Sequence, residues 1–225
     1  MVVRTARRAA EATTVGRVVV ATDDERIVAV SKGYDIEVVM TEGEHMTGTD
    51  RVVEVCRTLE LAEVVNIQGD EPLIDPGCID ALVRGLSADA DALVANAACP
   101  LADEDIDNKN VVKAICDQRN RLMCLSRHPL PFSWGAKVDR FRHLGLYAFK
   151  RGVLDRFAKR AQGPLERSER VEMYRFLEYG DPIVLVKVPP TPPAVDVPED
   201  MVKIQEYVLS RGGWEHFYSN VTRSS

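Results

Sequence analysis

Apolar residues fall along this chain in two rhythms. Short, mostly β-branched runs stand at 17–22 (RVVVAT), 36–40 (IEVVM), 64–68 (VVNIQ), 92–97 (ALVANA) and 183–188 (IVLVKV). Runs of this kind read as strands buried on both faces. Between them the apolar positions recur at helical spacing. Val52, Val53, Cys56 and Leu59 make one such stripe, with Thr47 or Thr49 placed to cap its start. Residues 79–86 make another. A helix after Asp23 and Asp24 runs to about Lys32, with Gly33 as its C-terminal stop. Residues 1–13 read as the end of a helix.

Alternating strands and helices predict an α/β fold: three layers, with a mostly parallel central sheet covered by helices on both faces. The rhythm changes after residue 100. Runs at 111–116 and 122–126 flank Asp117-Gln118-Arg119-Asn120 and predict a hairpin. Pro129 and Pro131 break the chain. A strand at 143–149, helices at 152–161 and 166–179, and a Pro-rich bend at 189–193 follow. A closing helix begins near Pro198, a suitable first helical residue. There is no internal repeat, and the tail 219–225 reads as frayed. The chain is expected to form one domain over 1–225, with 111–150 as a smaller hairpin subregion.

Charge narrows the function classes. The 225 residues carry 29 Lys and Arg against 35 Asp and Glu, a net charge of −6. That balance argues against a general nucleic-acid or membrane-surface binder. No apolar run reaches the roughly 18 residues that a membrane span needs. Arg4, Arg7, Arg8 and Arg17 make the start basic, but no apolar core of a secretory signal accompanies them. The five cysteines lack CxxC spacing, which suits a reducing, cytoplasmic setting.

Chemistry is concentrated in a few places. Neither GxGxxG nor GxxxxGK[ST] occurs. The acidic run 103–107 fails as a calcium loop, because the sixth and twelfth positions are Asn108 and Ala114. The strand 64–68 ends abruptly in Gly69-Asp70-Glu71-Pro72. Ligands of doubly wound sheets sit at such carboxyl ends. Gly69 admits a ligand close to the backbone, and Asp70 presents a carboxylate to a divalent cation; a plain structural turn is the competing reading. Asp196 precedes the closing helix, either as its cap or as a second hard ligand. Two such Asp residues are what a Mg²⁺–triphosphate site requires. In the strand 143–149, His143, Gly145 and Tyr147 share one face, and the glycine leaves room above it. His143 and Tyr147 would lie about 13 Å apart on an ideal strand, so they touch opposite ends of a ligand or the strand bends.

These segments, in this order, resemble the cytidylyltransferases that activate 3-deoxy-manno-octulosonate (Kdo), the CMP-Kdo synthetase family. The resembling pieces are VVVATDDERI (18–27), HMTGTDR (45–51), NIQGDEPLI (66–74), LSRHPLPF (125–132), RHLGLYAFKR (142–151), PLERSERVEMYRFLEYG (164–180) and VDVPED (195–200). The resemblance implies a nucleotidyltransferase, Rossmann-like fold and transfer of a cytidylyl group from CTP to Kdo, with CMP-Kdo and pyrophosphate as products. It implies Mg²⁺ held by Asp70 and Asp196. Thr49, Arg51 and Gly69 match nucleotide positions. Gln68, Arg127, His143, Tyr147 and Glu172 match sugar positions, with Arg127 suited to the sugar carboxylate. It also implies a homodimer.

Two departures stand out. Met173 occupies a place where the family usually shows Gln, which points to an altered acidic sugar, a related nonulosonic or amino-octulosonic acid, as the alternative substrate. The family's opening strand and cationic loop, of the type IPARYxSTRLPGKPL, has no counterpart ahead of Val2-Val3-Arg4. Either the true start lies upstream, or the chain lacks them and is expected to leave strand edges unpaired inside the sheet and to turn over poorly, or to be a non-catalytic remnant.

Overall fold

The computed structural model describes residues 1–61, 63–135, 138–150, 152–192, 194–195, 198–214 and 217. In chain order the elements are α1 (Val2–Ala10), β1 (Val20–Thr22), α2 (Glu25–Gly33), β2 (Val38–Met40), α3 (Gly48–Leu59), β3 (Val64–Ile67), α4 (Pro76–Ala88), β4 (Val94–Pro100), β5 (Lys113–Cys116), β6 (Leu122–Ser126), β7 (Phe141–Phe149), α5 (Val153–Lys159), α6 (Pro164–Glu169), α7 (Tyr174–Glu178), β8 (Ile183–Lys187) and α8 (Asp200–Ser210). Capping side chains set several starts. Asp24 accepts from Arg26 N, Thr47 from Asp50 N, and Asp75 from Gly77 N with Pro76 behind it.

The α/β architecture is as expected, but the sheet is mixed rather than mostly parallel. β1 and β2 form a parallel pair, and six further strands run β6-β5-β7-β4-β8 with β3 also on β7. β4 and β8 are parallel, and β7 runs against β3, β4 and β5. The cause is the β5–β6 hairpin. A parallel return needs a long crossover, usually a helix, and a hairpin supplies none. The hairpin itself turns as predicted: Asp117 Oδ1 accepts from the amides of Arg119 and Arg121, and Asn120 takes a left-handed φ of 58°.

β7 organises the site. Its full length lies on β4, and its other edge is shared by β3, at residues 146–149, and β5, at 141–142. Between those two partners the strand faces a fork. Side chains alternate across the sheet into two apolar clusters. Tyr147 and Phe149 pack on one side with Val94 and Leu185; Leu146 and Ala148 pack on the other with Ala95 and Val184.

Two segments differ from the pattern read in the sequence. The helix expected at 166–179 is broken, because Arg170 adopts φ 53° and its N–H closes α6 on Glu166 O. The break turns Val171 and Glu172 inward, where both are buried. The strand expected at 17–22 forms only at Val20–Thr22, where β2 pairs with it. Between β1 and β3 lies an apolar slot of about 480 Å³, walled by Val2, Ala6 and Ala9 of α1 and by Val52 and Val55 of α3. No described strand joins β1 to β3.

Candidate active site

A second, open hollow of about 1160 Å³ lies over the β7 fork. Gln68, Asp70, Arg127, His143, Gly145, Tyr147 and Glu172 all line it. The sequence-predicted sugar positions and one predicted metal ligand therefore share one cleft.

The bend that brings His143 to Tyr147 comes from a β-bulge. Asn96 faces Tyr147 and Ala98 faces His143, so two steps on β4 oppose four on β7. The extra residues leave carbonyls without ladder partners. Asn96 Nδ2 donates to Leu144 O at 2.9 Å and reaches Leu146 O at 3.4 Å. Its Oδ1 then accepts from His143 Nδ1, 2.7 Å away. That assignment leaves His143 Nε2 as an acceptor, and the Tyr147 hydroxyl donates to it across 3.1 Å. Burial, assisted by the Arg127 charge, holds the His143 imidazole down at about 3, so it is neutral at physiological pH. Burial first, then the charges of Glu172 and Asp70, push the Tyr147 phenol well above its usual range. The pair acts as a fixed neutral wall whose free lone pairs are on the Tyr147 oxygen. Asn96 was missed in the sequence; its signal was one amide inside the apolar run Val94-Ala95-Asn96-Ala97-Ala98.

Gln68 fills the space that Gly145 leaves. A Cβ on Gly145 would lie 2.8 Å from Gln68 Cγ, and one on Gly48 would lie 3.3 Å from its Nε2. The two glycines therefore hold the Gln68 side chain between the β3 tip and the start of α3. Asp70 follows at the end of the β3 turn. Its carbonyl accepts from Val195 N at 3.0 Å, which brings the 194–195 segment onto the cleft. Asp196 lies outside the described residues. Gly69 is exposed, and its carbonyl accepts from Thr5 Oγ1 at 3.2 Å, so it faces the slot and α1.

The other predicted residues take supporting places. Thr49 has no exposed surface; its N–H donates to Glu172 Oε2 at 3.0 Å and its hydroxyl accepts from Asn66 Nδ2. Arg51 donates to Asp23 at 2.7 Å and to Thr41. Arg127 spends Nε on Glu169 O and Nη1 on Lys109 O, which leaves Nη2 for a ligand. Glu172 keeps Oε1 buried with no partner, and burial raises its carboxyl pKa against the opposing pull of the Thr49 N–H. Met173 has no exposed surface and belongs to the apolar core. It packs rather than lining the cleft.

Among the described residues, no group of three or more His, Cys, Asp or Glu is placed to hold a metal ion. No described helix is long and apolar enough to cross a membrane.

The family model described as "Cytidylyltransferase" matches residues 1–187. A 3-deoxy-manno-octulosonate cytidylyltransferase of Syntrophotalea carbinolica is 40% identical over 219 residues, 92% of this chain and 88% of the relative. One from Solibacter usitatus is 40% identical over 200 residues, 88% of this chain and 79% of the relative. The solved structure of a CMP:2-keto-3-deoxy-manno-octonic acid synthetase complexed with CTP superposes with a TM-score of 0.88 at 30% identity, covering 93% of this chain and 88% of that one. With the sheet, the cleft and the sequence in agreement, the chain belongs to the cytidylyltransferase family.

Proposed function

We propose that this protein transfers a cytidylyl group from CTP to Kdo, giving CMP-Kdo and pyrophosphate. The observation that carries the reading is the convergence of Gln68, Asp70, His143, Tyr147 and Glu172 on one cleft. The C2 hydroxyl oxygen of the sugar attacks the α-phosphorus in line, the bond from that phosphorus to the α–β bridging oxygen breaks, pyrophosphate leaves with the bridging oxygen, and the hydroxyl proton passes to solvent. His143 is a poor base, since its imidazole takes up a proton only near pH 3 and its Nε2 already accepts from Tyr147. It holds the phenol oxygen in one place, as an acceptor for a sugar hydroxyl. Gln68 offers an amide donor and acceptor at the β3 tip. The Glu172 carboxylate, whose Oε1 has no hydrogen-bond partner, and the Nη2 of Arg127 complete the sugar side.

Mg²⁺ is commonly held by one or two carboxylates together with substrate phosphates, so a site with few protein ligands suits it. In this reading Asp70 and Asp196 hold the ion, and the Val195–Asp70 bond supports their pairing. When bound, the ion neutralises phosphate charge and orients the nucleophile.

The homodimer belongs to the same reading. Phe132 and Trp134, on the loop after β6, are 81% and 92% exposed, with ring centroids 6.0 Å apart. Aromatic pairs left this open are suited to burial against a second copy. The alternative acidic sugar loses its motive, because Met173 is core.

The test is pyrophosphate release from CTP with Kdo, with sialic acid and an amino-octulosonic acid as comparisons. The reading expects turnover with CTP and Kdo at least tenfold above either comparison. A clear preference for another acidic sugar would replace the substrate and keep the reaction.

A further inference from the structure

At the edge of the cleft, charged side chains meet in a largely buried cluster. Arg175 of α7 is 3% exposed and Glu166 of α6 is 2% exposed. Arg175 Nη2 donates to Glu166 Oε1 at 2.6 Å, and Nε donates to Glu166 Oε2 at 2.9 Å. Its Nη1 donates to Asp50 Oδ1 at 2.9 Å. The guanidinium also sits over the Phe157 ring, 3.8 Å from its centroid.

Asp50 lies in the first turn of α3, where it also accepts from Thr47 Oγ1 at 2.8 Å. One residue earlier, the Thr49 N–H donates to Glu172 Oε2. The first turn of α3 is thus fastened to the 166–175 segment at two points. On one side of this fastening stands Arg51, tied to Asp23 and Thr41. On the other stands Glu172, which lines the cleft and keeps a buried Oε1 without a partner.

A buried ion pair adds little stability over well-packed apolar side chains, so its presence calls for another account. Guanidinium is a rigid planar fork. It fixes two carboxylates at a set distance and angle, which a lysine ammonium on a flexible stem does not do. Here the two carboxylates belong to different elements, one on each half of the site. We propose that Arg175 is a positioning residue: through Asp50 and Glu166 it sets the spacing between the turn that carries Arg51 and the segment that carries Glu172. This rests on the cytidylyl-transfer reading, in which those halves hold the two substrates. In such a reaction a misplacement of about 1 Å costs roughly a hundredfold in rate.

The test uses the full chain with Arg175→Lys, Asp50→Asn and the double variant. Arg175→Lys keeps the charge beside Glu166 and loses the fork. Asp50→Asn leaves the Arg175–Glu166 pair whole, removes the charge that ties Arg175 to α3 and disturbs the Thr47 hydroxyl contact within that turn, so it serves if the first variant fails to fold. The expected result is a 10- to 100-fold fall in kcat for each single variant, with each substrate KM moving less than about threefold. The double variant falls no further than the worse single one, because both cut the same link. Amide exchange at Thr49 and Asp50 quickens about tenfold, with β4 and β7 unchanged. A lowered Tm with unchanged kcat and unchanged exchange would make Arg175 merely structural and overturn the proposal. Additive losses would also overturn it. If the wild-type chain makes no CMP-Kdo, the transfer reading fails and the positioning role with it; altered exchange would then still report the fastening alone.

Discussion

The two hollows of this molecule differ in what they lack. The cleft over β7 is lined by carboxylates, guanidinium groups, an imidazole and a phenol. Beneath it, the bulge carbonyls of Leu144 and Leu146 are met by Asn96. The slot between β1 and β3 is walled mostly by Val and Ala side chains, with Arg17, Arg51, Asn66 and Gln68 among its polar lining residues. A hollow of the first kind is completed by a small molecule that brings charge and hydroxyls. One of the second kind is completed by backbone, because strand edges are pairing surfaces and apolar walls gain from being covered. Polar side chains therefore mark the chemistry, and bare strand edges mark a place for main chain.

The sharpest break in this contrast would come from filling the slot. Joining a β-branched strand of four to six residues ahead of Met1 should raise Tm by roughly 10 °C, since each fully buried Val or Ile contributes about 1.5–3 kcal/mol before ordering costs. Carried with a cationic loop, the same extension should raise pyrophosphate release about a hundredfold. Calorimetry and the release assay on both forms check this. Unchanged values in both would show that the slot closes by itself.

A smaller effect separates the cleft's wall from its phosphate end. His143→Ala should lower kcat/KM for the sugar about 30-fold and leave the CTP Kd within twofold. The reverse pattern would exchange the two halves of the pocket. The same residue gives a pH signature. Unfolded histidine takes up a proton near pH 6.5, while the native imidazole refuses it until about 3. Stability is therefore full above about 6.5 and declines as pH falls through that window, by up to about 1.36 kcal/mol per pH unit. Denaturant titrations of His143→Ala should show a shallower acid limb. The pH dependence of sugar KM between 5 and 8 should show no titration from His143.

The smallest expected effect is at Gly145. Gly145→Ala presses on Gln68 Cγ, within the side chain, rather than on backbone. The sugar KM should rise about threefold with Tm within about 2 °C. A loss of folding instead would mean that Gln68 cannot yield.

Much of this was legible in the sequence where chemistry and pattern coincide. QGDEP after a buried strand, and HLGLY in an alternating one, lead directly to Asp70, His143 and Tyr147 in one cleft. The direction of β7 was not legible, because an apolar strand reads the same whichever way it runs. The bulge was equally hidden: it is a property of the β4–β7 pairing, and Asn96 shows its role only when the opposite carbonyls are known. Met173 illustrates the converse. Its identity suggests a changed pocket, but the break at Arg170 sets its side chain in the core.

The central claim, that the cleft at the β3 tip performs the transfer, is tested most directly by Asp70→Asn. The substitution keeps the shape of the side chain and removes the charge that would meet a metal ion. Pyrophosphate release from CTP and Kdo should fall at least a hundredfold, with circular dichroism and Tm unchanged. Turnover like that of the wild type would contradict the assignment and move the chemistry elsewhere in the molecule.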